Sequence, residues 1–198
     1  MGQADQKSEG ILDAALPVFV RYGFRKTSMA DIARAAGISR AALYLSFGSK
    51  EELFRAGSAR AHARTMRNVE AALAGTGDVF SRIEAAIAAF QRDLIAPLSA
   101  SDSAAELFDT NMTLAKDITL AARARLVAQL AQALADAQTT GAISLDAVNA
   151  RPVDVAAMMV ASMEGIKDAQ GAGQSLEEST RLFMRLLRQA LNGTAQAG

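Results

Sequence analysis

Apolar residues recur every three or four positions along most of this chain, the spacing of helices buried on one side. Between Thr27 and Phe47 the rhythm breaks into two short pieces. Ile32, Ala33 and Ala36 share one helical face, Ser28 is placed to cap it, and Asp31 three residues on can bond back. Gly37 ends that helix, since glycine takes a left-handed backbone without strain. Ile38 follows as an apolar plug, Ser39 opens a second helix, and Phe47 reads as core. Ser49-Lys50-Glu51-Glu52 is another capped start, for a helix reaching about Leu73.

The later pattern predicts more helices. One starts at Asp78, carries Phe80, Ile83, Ile87, Phe90 and Leu94, and ends at Pro97 and the polar run 99–103. A short one covers Ala104 to Asn111. A long one runs from Leu114 to Thr139, with Ile118, Leu126, Leu130 and Leu134 on one face and Gly141 beyond its end. Pro152 suits the first turn of a helix carrying Val155, Met158, Met159 and Met163. Gly171-Ala172-Gly173 is a turn before a last helix from Ser175 to Asn192, and the tail after Gly193 frays. Pro17 lies inside the first helix and is expected to kink it. The fold class is all-α, with about nine helices.

Composition agrees. Of 198 residues 51% are hydrophobic and only 3 are proline, enough apolar material for a sizeable helical core. Net charge is zero, which argues against coating nucleic acid nonspecifically. Residues 1–57 hold 8 basic and 6 acidic side chains, a small excess. The lack of cysteine excludes disulfides and thiol catalysis. One histidine, His62, is too few for the usual Ser-His-acid or His-metal centres, so neither an enzyme nor a metal or cofactor is expected. The first ten residues are polar, and no stretch approaches the roughly 20 apolar residues that span a bilayer. A soluble, cytoplasmic protein is expected.

Two short helices joined by a few residues containing glycine form a helix-turn-helix, whose second helix enters the major groove N-terminus first. Here that end is Ser39, Arg40 and Ala41. Arg40 can give two hydrogen bonds to a guanine edge or reach a phosphate, and Ala41 is small enough for close approach. Tyr44 joins an apolar ring to a hydroxyl suited to phosphate. Lys50 occupies a first helical turn, where acids are normally preferred, and a phosphate partner would explain it. The plainer reading makes Ser28, Ser39 and Ser49 caps alone, and Arg40 and Lys50 ordinary surface charges.

The residues resemble those of the TetR family of bacterial transcriptional regulators. The resemblance runs from about Ile11 to Phe54, through Ala14-Ala15-Leu16, Phe19, Tyr22-Gly23-Phe24, Thr27-Ser28, Asp31-Ile32-Ala33, Ala36-Gly37-Ile38-Ser39, Leu43-Tyr44, Phe47 and Ser49-Lys50-Glu51-Glu52-Leu53. It implies a three-helix DNA-binding head, residues 1–57, and a larger helical domain, residues 58–198, for effector binding and dimerisation. It implies phosphate contacts from Thr27 or Ser28, Tyr44 and Lys50, and base contacts from Ser39, Arg40, Ala41 and Leu45. Family members often carry an aromatic or His where this chain has Leu45-Ser46, which weakens the backbone contact expected at Ser46.

By periodicity alone the apolar stripe of the last helix seals the monomer core. The resemblance implies instead a homodimer through the last two helices, with Ala157, Ala161, Gly165, Phe183, Leu187 and Leu191 at the interface. It also implies a pocket for a small effector. His62, Met66, Phe90, Phe108, Met112 and Met159 are candidate lining residues, and they point to an apolar effector. The expected function is a repressor that binds a palindromic operator and is released by that effector. The alternatives are an effector-independent regulator and a helical interaction module that no longer binds DNA specifically.

Overall fold

The computed structural model describes residues 3–99, 101–168 and 175–191. Among these are ten α-helices and no strand: α1 (Gln3–Lys26), α2 (Met29–Ala35), α3 (Arg40–Tyr44), α4 (Lys50–Leu73), α5 (Val79–Phe90), α6 (Ala96–Ser99), α7 (Ala104–Leu114), α8 (Lys116–Thr139), α9 (Pro152–Asp168) and α10 (Leu176–Leu191). The expected turn at Gly171–Gly173 lies outside the described residues.

The helices form two compact units, one from Met1–Thr65 with Gln91–Leu120, the other from Met66–Phe90 with Ala121–Gly198. The first unit thus passes the expected boundary at 57 and takes in α7. Its core gathers Ile11, Phe19, Ile32, Leu43, Phe47, Leu53 and, from α7, Leu107. Phe19, Phe24 and Phe54 pack together with ring centroids 5.3 to 5.7 Å apart, in the stacked and edge-on arrangements that aromatic quadrupoles favour. Arg55 of α4 makes a two-toothed pair with Asp117, at 2.6 and 2.5 Å, and Arg60 reaches Glu9 and Asp13 of α1.

The second unit buries Ile83, Ile87, Leu126, Leu130, Leu134, Met159 and Leu191 in a continuous core. Each of these apolar side chains contributes on the order of 1.5–3 kcal/mol by leaving water. Arg188 of α10 bonds Asp78 at 2.9 Å and stacks over Phe80 at 5.3 Å.

Two prolines behave otherwise than the sequence suggests. Pro17 keeps helical dihedrals, and α1 departs from them at Gly23 instead (φ 79°, ψ 167°). Asp13, whose carbonyl Pro17 cannot serve, lies on the exposed side of the helix, where water can satisfy it. Pro97 does not stop the chain's helical course. A π-helical turn over Gln91–Ile95 widens the ladder just before it, and α6 continues to Ser99.

Candidate nucleic-acid interface

The helix-turn-helix is built by local capping. Ser28 Oγ accepts the Asp31 amide at 3.2 Å and donates to Asp31 Oδ2 at 2.5 Å, while the Ser28 amide donates to the same oxygen at 3.0 Å. These bonds hold the Asp31 carboxyl below its ordinary range. At the other end Gly37 takes φ 65°. The Ile38 amide then reaches the Ala33 carbonyl at 3.0 Å and the Gly37 amide the Arg34 carbonyl at 3.2 Å, the paired closure of a glycine-ended helix.

Helix α3 has only five residues, too few to stand alone in water. Ser39 caps it by accepting the Ala42 amide at 3.1 Å. Leu43, fully buried, anchors it to the head core. Its outer face is left open: Ser39, Arg40, Ala41 and Tyr44 are exposed, Leu45 is 86% exposed, and Ser46 is half-buried. The Arg40 guanidinium lies over the Tyr44 ring, 5.6 Å from its centroid.

Beside this face is a depression of about 540 Å³, lined among others by Arg25, Lys26, Ser28, Arg40, Tyr44 and Lys50. Four cations and one carboxylate, that of Glu51, share it, so its field suits an anion. Arg25 and Lys26 were not anticipated. Their signal was a basic pair in the last turn of α1, which a helix dipole alone would explain.

Two expected phosphate ligands are otherwise occupied. The Thr27 side chain is 2% exposed and its hydroxyl donates to the Gly23 carbonyl at 2.7 Å, so Ser28 is the exposed member of that pair. Lys50 donates to the carbonyls of Phe24 and Thr27 at 2.8 and 2.9 Å, with its ammonium 4.2 Å from the centre of the Phe24 ring. It fastens the end of α1 to the start of α4 while lining the depression.

Residues 11–56 match the family model for bacterial regulatory proteins of the tetR family. Over this segment the chain is similar to the regulators of that family. It is 47% identical over 51 residues to an uncharacterized HTH-type transcriptional regulator, YfiR, of Bacillus subtilis, covering 26% of this chain and 25% of that protein. It is 38% identical over 86 residues to the HTH-type transcriptional activator FasR of Mycolicibacterium smegmatis, covering 43% and 39%. The matched segments thus span well under half of these relatives. The fold is similar to that of SmeT, the repressor of the Stenotrophomonas maltophilia multidrug efflux pump SmeDEF, with a TM-score of 0.69, 23% identity and coverage of 95% and 91%.

The remaining candidates are scattered by the fold. For the effector, Met66 and Met159 are shut into the core of the second unit, and Phe90 is half-buried against it. In the first unit Phe108 is half-buried and Met112 is 44% exposed. His62 is buried, with Nδ1 2.8 Å from the Ser58 carbonyl. Burial pushes its imidazole below the ordinary value, against the raising effect of that carbonyl.

For the dimer, Ala157, Ala161 and Gly165 are exposed on α9. Leu187 and Leu191, however, are buried in the monomer core, and Phe183 packs against it. Among the described residues, the large apolar side chains exposed on these two helices are Val153, Met158, Leu182 and Leu186. No helix among the described residues is long and apolar enough to cross a membrane.

Proposed function

We propose that this chain is a DNA-binding transcriptional regulator, a repressor that holds a palindromic operator as a homodimer and lets go on binding a small apolar effector. The observation that carries the reading is the cationic depression of Arg25, Lys26, Arg40 and Lys50 beside a recognition helix whose outer face is bare. Backbone phosphates fit the depression, and base edges fit Ser39, Arg40, Ala41 and Leu45.

Support for the homodimer comes from Met158, Leu182 and Leu186, large apolar side chains left in water beside the small Ala157 and Ala161. A two-fold pair presents two recognition helices to successive major grooves, hence the palindrome. The effector is taken as apolar because the candidate lining residues are methionine and aromatic side chains. Release is a population shift, in which the effector favours a state whose heads no longer match both half-sites.

A gel shift with genomic fragments tests the reading. Specific retardation reversed by an apolar compound is the expected result. Retardation that no compound reverses makes the chain an effector-independent regulator, and absence of any specific retardation overturns DNA binding. A monomeric mass by light scattering overturns the homodimer.

A further inference from the structure

The C-terminal end of α1 is pinned from two sides. Gly23, buried and at positive φ, leaves room there that no other residue would: a Cβ would lie 2.7 Å from Glu106 Oε2 and 3.0 Å from Ser103 Oγ. The other oxygen of Glu106, Oε1, accepts the backbone amide of Arg25 at 2.6 Å. Ser101, in the same segment, donates to the Val20 carbonyl at 2.5 Å. From the head itself Thr27 bonds the Gly23 carbonyl and Lys50 the carbonyls of Phe24 and Thr27. The chain from 20 to 27 is thereby held by four polar side chains, two of them from residues 101–106.

We infer that Glu106 is a positioning residue for nucleic-acid binding. Its carboxylate, carried by α7, fixes the turn from Gly23 to Lys26 and so places Arg25 and Lys26 on the depression. The inference rests on the DNA-binding reading above. A charged acceptor at 2.6 Å makes a strong, short bond to an amide, and that amide belongs to one of the cations it positions. Leu107, the next residue, is fully buried in the head core, so Glu106 is delivered from a fixed base. Movement of α7 therefore carries the two cations with it.

The test uses the full chain and a duplex that the wild-type protein selects from a random-sequence pool, with affinity measured across salt concentrations. Glu106→Ala is expected to weaken binding about tenfold and to make the salt dependence shallower by about one phosphate contact. Glu106→Gln keeps an acceptor for the Arg25 amide and is expected to bind like wild type. Glu106→Asp withdraws the oxygens by one methylene while keeping the charge, and is expected to behave like Glu106→Ala. It serves as the test if the alanine variant does not fold. In an Arg25→Ala/Lys26→Ala background, Glu106→Ala should cost nothing more. A folded Glu106→Ala or Glu106→Asp that binds like wild type overturns the inference and leaves DNA binding standing, as does an undiminished Glu106 effect without the two cations. Failure of the wild-type protein to select any duplex overturns DNA binding itself, and the inference with it.

Discussion

Arg40 stands over its neighbour one turn along, its guanidinium carbon 5.6 Å from the centroid of the Tyr44 ring and its Nη2 3.5 Å from the phenol oxygen. The second distance is at the limit of a hydrogen bond, so the ring face is the stronger part of the contact. An otherwise free cation is thus leaned against a surface before any partner arrives. The cost of ordering a long side chain is partly met in advance.

That arrangement separates two variants. Arg40→Ala is expected to weaken binding to a selected operator by about 1–3 kcal/mol and to narrow its margin over a scrambled duplex. Tyr44→Phe keeps the ring under the guanidinium and is expected to lose affinity evenly on both duplexes. Fluorescence anisotropy on the two duplexes checks both outcomes.

Lys50 is a fastener as well as a cation. Lys50→Ala removes two charge-assisted bonds to the Phe24 and Thr27 carbonyls and is expected to lower unfolding stability by roughly 1.5–3 kcal/mol with no DNA present. A residue that served phosphate alone would leave stability unchanged. Urea unfolding of the free protein decides.

The proposed homodimer divides the α10 stripe into two functions. Leu186→Glu, at a position 62% exposed, is expected to give a folded monomer by light scattering and circular dichroism. Leu191→Ala, at 2% exposed, is expected to cost about 2–5 kcal/mol of stability through a core cavity, with the dimer otherwise intact. The opposite assignment of effects would return the interface to Phe183, Leu187 and Leu191.

His62 gives a pH dependence of definite sign. Its folded value lies below 6.5, because burial disfavours the charged ring, so the unfolded chain binds the proton more readily. Stability from this group is therefore complete above pH 6.5 and is lost as pH falls through the folded value. His62→Gln should flatten stability between pH 7 and 5, measured by denaturant midpoint at each pH.

The caps and stops of the head were legible because they act over a few residues: Ser28 finds Asp31 three positions on, and Gly37 needs only its own missing side chain. The employment of Lys50 was not, because its partners, the carbonyls of Phe24 and Thr27, lie 26 and 23 positions back and come near only when the chain packs. Gly23 was visible as part of a motif, but its reason, the Glu106 carboxylate filling the place of a Cβ, lies 83 positions away. On α10 the apolar spacing offered two neighbouring lines, one through Leu182 and Leu186 and one through Phe183, Leu187 and Leu191, about 100° apart. Periodicity gives the stripe and leaves its phase to the partners, and the monomer core took the second line.

The brevity of α3 has a consequence of its own. Five residues rise about 7.5 Å, little more than two base-pair steps of a duplex. Even with Ser39 and Leu45 at its two ends, such a helix offers each head a short stretch of bases to read. In the proposed homodimer the information that singles out one site in a genome is assembled by repetition of the word on the other strand and by how readily the intervening duplex bends, so the spacer between half-sites becomes part of the message.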